Sequence, residues 1–331
     1  MKIHNILAVL LFLLLIFPMA VHCQTKDSYY YKKEKEAGVK KIYINGKFWV
    51  WTQKIGDGKI NVLLLHGGPA QSHEYFEIFS NYLPKQGITI YYYDQFGSYF
   101  SETPTKLQLA DTAIWKLPRY VDEVEQVRKG LHLKKIFIYG HSYGALLALA
   151  YCYKYQEHVN GLIFSDMNPF PNDFAKMISL SNLKTDSIMY ASDQFHSLIM
   201  NKTKGLAYDT TLYQNVFEKT LTRNFIIRLD TMPESIERTK IHKNFEVAQK
   251  IGPSTFSLNY ANMIDKIKVP VLLISGQYDF LISPDELKRL RNKFPNAEYA
   301  IIPNAGHIGF IDNPNDYFPP LIRFIKKFSK Y

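Results

Sequence analysis

The sequence predicts an α/β fold: a mostly parallel central sheet, helices on both of its faces, and a helical segment inserted late in the chain. Three observations carry this expectation. Short continuous apolar runs recur, each closed by Gly, Asp or Ser, as strands buried on both faces require. Helical patterns fall between several of these runs, which implies a parallel sheet with right-handed crossovers. The alternation then stops between about Asn168 and Met263.

Taken in order, residues 1–23 read as a secretory leader. Lys2 and His4 form a short polar start, and Ile6 to Phe17 is an apolar run of twelve residues. A run that short does not span a ~30 Å hydrocarbon core. Pro18 ends it, and Val21-His22-Cys23 offers a cleavage site that would leave 24–331 as the mature, exported chain. Lipidation of Cys23 is the alternative, which the preceding His22 fits poorly. Residues 24–38 are polar and read as a linker.

Lys41 to Ile44 and Phe48 to Gln53 follow as strands around Asn45-Gly46, a hairpin turn signal. Val62 to Leu65, Ile88 to Tyr93, Ile136 to Tyr139, Gly161 to Phe164 and Val269 to Ile274 supply the buried strands. Tyr120 to Leu131, Ala145 to Tyr155 and Pro284 to Lys293 supply helices between them. The core is thus expected over 39–167 and 264–331. Residues 168–263, with helical patterns at Leu212 to Leu221 and Glu234 to Gln249, read as an inserted lid of small-domain size.

Composition narrows the function classes. In 331 residues, 47% are apolar and 21% charged, which suits a packed core and excludes a disordered chain, a collagen-like fibre or a coiled coil. Two cysteines make no disulfide scaffold, and no Cys/His group has metal-ligand spacing. Cys152, in an apolar segment, reads as a buried inert thiol. The net charge of +10 comes from 32 Lys and 8 Arg against 30 acids. These lysines are spread along the chain rather than gathered on a binding motif, so a nucleic-acid partner is not expected.

Chemistry concentrates in Gly140-His141-Ser142-Tyr143-Gly144, which has the form G-x-S-x-G. The strand Lys135 to Tyr139 precedes it and the small apolar helix Ala145 to Ala150 follows. That context makes it a nucleophile elbow, with glycines on both sides letting strand and helix approach closely. A serine needs a base, and the base needs an orienting acid. Asp279 lies just past the strand ending at Gly276, and His307 follows Gly306 in a loop past Tyr299 to Ile302. The chain order Ser142, Asp279, His307 is the one a G-x-S-x-G elbow uses. Asp166, after the Gly161 to Phe164 strand, is the second candidate acid. The oxyanion needs two amide donors: Tyr143, directly after the nucleophile, and Gly68 in the loop His66-Gly67-Gly68-Pro69.

These residues resemble the α/β-hydrolase superfamily and, within it, the prolyl aminopeptidase (proline iminopeptidase) family. His66-Gly67-Gly68-Pro69-Ala70 is similar to that family's HGGPG loop, and Asp94 to Ser101 follows its DQRGxGxS segment. Ile267-Lys268-Val269-Pro270 through Asp279 resembles the family's approach to its acid. The resemblance covers about residues 40–165 and 250–330. It implies Ser142 as nucleophile, His307 as base and Asp279 as orienter. It also implies that lid carboxylates hold the substrate's free amino terminus, for which Glu218, Glu234, Glu237 and Glu246 are the candidates. Four positions depart from the family: Phe96 replaces an arginine, Tyr99 and Ala70 replace glycines, and His141 stands where glycine is common. None belongs to the triad, so they bear on substrate identity rather than on hydrolysis.

The expected activity is cofactor-free hydrolysis through an acyl-enzyme, on short peptides beginning with proline or a small apolar residue. An esterase or lactonase acting on small acyl compounds would keep the triad and drop the need for lid carboxylates. A ligand-binding protein on the same fold is the alternative of another class.

Overall fold

The computed structural model describes residues 26–170, 233–256, 258–279 and 281–329. The leader residues 1–23, the helical pattern Leu212 to Leu221, and Glu218 lie outside them.

Among the described residues eight strands form one sheet in the order β1-β2-β4-β3-β5-β6-β7-β8. β1 (Val39–Ile44) and β2 (Phe48–Ile55) make the antiparallel hairpin around Asn45-Gly46, in register from Ile44 against Phe48 to Val39 against Gln53. Three residues connect the strands, and Asn45 and Gly46 both have positive φ, at 51° and 67°, in a tight turn closed by Lys47 N–H on Ile44 O at 3.0 Å. β2 pairs antiparallel with β4 (Ile88–Asp94). Every later pairing is parallel, through β3 (Ile60–Leu65), β5 (Ile136–His141), β6 (Val159–Ser165), β7 (Val271–Gly276) and β8 (Ala297–Ile302). The expected mostly parallel sheet is present; most strands run one to three residues past the apolar runs that marked them, and β7 is displaced, spanning Val271–Gly276 where Val269 to Ile274 was expected.

The sheet separates two apolar layers, and β5 shows how. Its side chains alternate: Ile136 and Ile138 enter one layer, Phe137 and Tyr139 the other. The first layer holds Val124 and Leu147 from the helices Leu117–Gly130 and Tyr143–Tyr155. The second holds Phe76 and Phe79 together with Leu321 and Phe324 of the C-terminal helix Pro314–Phe328. Cys152 is buried in the first layer, and burial pushes its thiol up to about 12, the inert state expected.

Two expectations change. Residues 24–38 are not a bare linker: Ser28–Lys33 is a helix capped by the Asp27 side chain, which accepts from Tyr30 N–H at 2.9 Å. Tyr30 is buried and stacks on Phe100 with centroids 5.8 Å apart, which fastens the segment to the core. The single helix expected over Glu234 to Gln249 is two, Glu234–Ile241 and Phe245–Phe256. Asn244 divides them. Its Oδ1 accepts from Val247 N–H at 3.2 Å, starting the second helix, while its own N–H donates to Ala70 O at 2.9 Å. Its Nδ2 donates to Gly97 O, also at 2.9 Å.

Candidate active site

The elbow forms where β5 meets the helix Tyr143–Tyr155. Ser142 has φ 56° and ψ −126°, a strained conformation for a residue with a Cβ. Its N–H donates to Ser165 O at 3.0 Å, tying the turn to β6. The approach around it is as close as the flanking glycines suggest. A Cβ on Gly144 would lie 2.1 Å from Leu65 O, and one on Gly140 would lie 2.2 Å from Gly144 O. Ser142 remains half-buried in a turn whose neighbours are buried.

Base and acid come from the loops after β8 and β7. His307 Nδ1 lies 3.2 Å from both carboxylate oxygens of Asp279, and both residues are buried. A carboxylate only accepts, so Nδ1 carries the proton and Nε2 is the unprotonated ring nitrogen, the tautomer a catalytic base needs. Burial alone would raise the Asp279 carboxyl. The adjacent His307, its hydrogen bond and the Leu281 N–H at 2.7 Å hold it below the ordinary range instead.

The loop His66–Ala70 reaches the nucleophile from β3. A Cβ on Gly67 would meet Ser142 Cβ at 3.0 Å, so this backbone lies directly against the serine. Gly67 N–H is already used, donating to Tyr75 Oη at 2.6 Å. Of the two loop glycines, Gly68 is therefore the one whose amide is not committed to Tyr75; its φ of 116° suits only glycine. Tyr143 opens its helix, where an N–H has no partner within the helix. Ala70, standing for a family glycine, has φ 56° and so keeps the left-handed backbone. Phe96, standing for the arginine, stacks on Phe48 with centroids 4.0 Å apart, and Tyr99 stacks on His242 at 3.7 Å.

Sequence reasoning missed how these loops are held together. Tyr75 Oη accepts from Gly67 and lies 3.3 Å from His141 Nδ1, while His141 Nε2 lies 2.8 Å from the His307 carbonyl. The carbonyl can only accept, so Nε2 bears the proton and Tyr75 donates to Nδ1. One buried chain of hydrogen bonds thus joins the loop His66–Ala70, the elbow and the loop that carries His307. His141 in the motif was a visible signal; Tyr75, one of several aromatics in the segment His73–Asn81, gave none.

Burial, then the neighbouring His307, push the His141 imidazole from its ordinary 6.5 down to about 3. In that window only the unfolded chain takes up the proton, so stability falls as pH drops, by up to about 1.4 kcal/mol per pH unit. His141→Gln keeps a donor for the His307 carbonyl and removes the titration. Its acid-unfolding midpoint, followed by circular dichroism, is expected at lower pH than that of the unmodified protein. An unchanged midpoint would contradict the buried neutral imidazole.

The lid carboxylates fare differently. Glu234 is 85% exposed and pairs with Arg238 on its own helix, and Glu237 is 55% exposed and pairs with Lys240. Glu246 is exposed as well. Among the described residues these three are solvated helix-face acids, lacking the desolvation that gives a carboxylate its grip on an amine. Glu218 lies outside the described residues.

An elbow serine, a buried histidine–carboxylate pair and a glycine loop at strand ends of a largely parallel sheet define a hydrolase. The chain belongs to the alpha/beta hydrolase fold family, whose model matches residues 60–314. Within that fold it resembles the prolyl aminopeptidases. It is 30% identical over 295 residues to a proline iminopeptidase of Flavobacterium johnsoniae, covering 85% of this chain and 94% of that one. It is 31% identical over 298 residues to a proline iminopeptidase of Elizabethkingia meningoseptica, covering 85% and 95%. The solved proline iminopeptidase of Mycobacterium smegmatis has the same fold, with a TM-score of 0.76 at 16% identity over 88% of this chain and 98% of that one. VinJ gives a TM-score of 0.73 at 18% identity, covering 88% and 98%. The chain is an enzyme, a hydrolase.

Proposed function

We propose that the chain is a serine hydrolase working through Ser142, His307 and Asp279, and that its substrates are short peptides beginning with proline or a small apolar residue. The observation that carries the chemistry is the buried His307–Asp279 pair, whose loop is bonded through the His307 carbonyl to His141, the residue before the strained Ser142. His307 Nε2 takes the Ser142 proton as the hydroxyl attacks the substrate carbonyl. The Gly68 and Tyr143 amides receive the oxyanion, and the positive end of the helix Tyr143–Tyr155 adds to their effect. His307 then protonates the leaving amine, and water repeats the cycle on the acyl-enzyme. Export by the leader 1–23 belongs to the same reading and rests on the apolar run Ile6 to Phe17.

The peptide preference is supported by the relatives, which carry the name proline iminopeptidase across nearly their whole length. One observation favours the ester reading: none of the described lid carboxylates proposed as amine ligands is desolvated. Comparing turnover of prolyl naphthylamide with that of naphthyl esters separates the two. The peptidase reading expects the prolyl amide to be the better substrate, and turnover of esters alone would overturn it.

A further inference from the structure

We propose that Asp166 is a positioning residue for this reaction: it stays a neutral carboxylic acid, donates its proton to Asp279, and so fixes the carboxylate that orients His307. The proposal rests on the serine-hydrolase reading above and adds a residue that touches neither substrate nor Ser142 and acts only through Asp279.

Asp166 follows β6, beside the strand whose loop carries Asp279. It is held from two sides, its N–H donating to Ile274 O at 3.0 Å and its Oδ1 accepting from Gly276 N–H at 3.0 Å. Its φ of 54° is a strained value for a residue with a Cβ, kept in place by those bonds. The side chain is buried, and its carboxyl faces that of Asp279, which sits past Gly276, the residue whose N–H Asp166 accepts. Ionised carboxyl oxygens only accept, so two carboxyl groups can bond to each other only with a proton between them. Two like charges this close in a buried site cannot both persist.

The donors decide which group keeps the proton. Asp279 receives His307 Nδ1–H on both oxygens, Leu281 N–H at 2.7 Å and Ser275 Oγ–H at 3.2 Å. Asp166 receives one backbone N–H and the Ser165 hydroxyl. The better-solvated Asp279 therefore holds the charge, and Asp166 holds the proton. Burial first, then the Asp279 charge, push the Asp166 carboxyl well above its ordinary range.

The other titratable groups facing Asp166 are neutral. His141 Nε2 is 3.9 Å from its Oδ2, and Tyr139 and Tyr317 reach Ser165 Oγ at 3.1 and 2.8 Å. Tyr75 also lies within electrostatic reach of it. His141 is pushed down by burial, and the three phenols are pushed up by it. The pair accordingly presents one negative charge to His307, from a carboxylate pinned on its far side.

The test follows labelling of Ser142 by a fluorophosphonate, which reads triad chemistry without regard to peptide or ester preference. Absence of labelling at Ser142 in the unmodified protein would withdraw the serine-hydrolase reading, and this proposal with it. Given labelling, Asp166→Asn is expected to react at close to the unmodified rate, because its amide donates to Asp279 and accepts from Gly276. The acid limb of its rate–pH profile should stay in place, one neutral group having replaced another. Asp166→Leu removes the donor and should slow labelling by about 10- to 100-fold.

Three results would overturn the proposal. One is an Asn variant as slow as the Leu variant. Another is a folded Leu variant reacting at the full rate. The third is an Asn acid limb displaced downward by about one pH unit, which would mean that an ionised Asp166 had been raising the basicity of His307. The Asn profile decides the matter even where the Leu variant fails to fold.

Discussion

Ser142→Ala is expected to lower kcat by about 10⁶-fold, a loss of about 8 kcal/mol of transition-state stabilisation, while leaving the fold in place. The attacking oxygen has no substitute. The backbone at this position is strained for any residue with a Cβ, yet Ser and Ala bear that strain equally. The chain already holds an alanine at φ 56°, at Ala70. Ser142 makes no side-chain cap to its helix, so the hydroxyl is not needed to start it. Steady-state assays with the naphthylamide and ester substrates, run beside thermal unfolding, check both halves. Near-normal turnover by the variant would remove Ser142 from the chemistry, and a collapse in Tm would show that the elbow needs its hydroxyl to fold.

Asp279→Asn should cost about 10⁴-fold in kcat with little change in KM. Asparagine can donate to His307 Nδ1, which favours the tautomer whose proton sits on Nε2 and so blocks the base. The loss is smaller than that of Ser142→Ala because the nucleophile and the oxyanion amides remain. The two variants should therefore differ in kind: Asp279→Asn still becomes labelled at Ser142, slowly, and Ser142→Ala does not. Equal and complete loss of labelling in a folded Asp279→Asn protein would assign Asp279 more than an orienting part.

The layout of the sheet was readable in the sequence because buried parallel strands announce themselves as short apolar runs, and their ends as Gly, Asp or Ser. The elbow was readable for a similar reason, since its glycines answer a steric demand that few other turns make. The chain order of Ser142, Asp279 and His307 offered a triad, and the structure brings His307 and Asp279 into contact. What stayed hidden depends on contacts distant in sequence. Helical periodicity ran straight through Asn244, whose bonds to Ala70 and Gly97 make it a break; only its type, a common helix-starting residue, hinted at this. The polar stretch 24–38 concealed a helix because Tyr30 packs on Phe100, some 70 residues away. Asp166 and Asp279 read as rival acids in the sequence, whereas the sheet order makes them neighbours. The lid glutamates were chosen by charge alone, and charge does not report burial.

The bonds from Asn244 to Ala70 and Gly97 also set where this molecule can be taken apart. An inserted segment is usually regarded as a cassette, replaceable without touching the scaffold that carries it. Here the segment's far end is stitched through Asn244 to Ala70, in the loop His66–Ala70, and to Gly97. A chimaera made by exchanging 168–263 would carry a foreign residue into that stitch and disturb turnover along with preference. A seam cut before Pro233 leaves with the scaffold both this stitch and the pairing of Arg238 with Glu74 and Glu77.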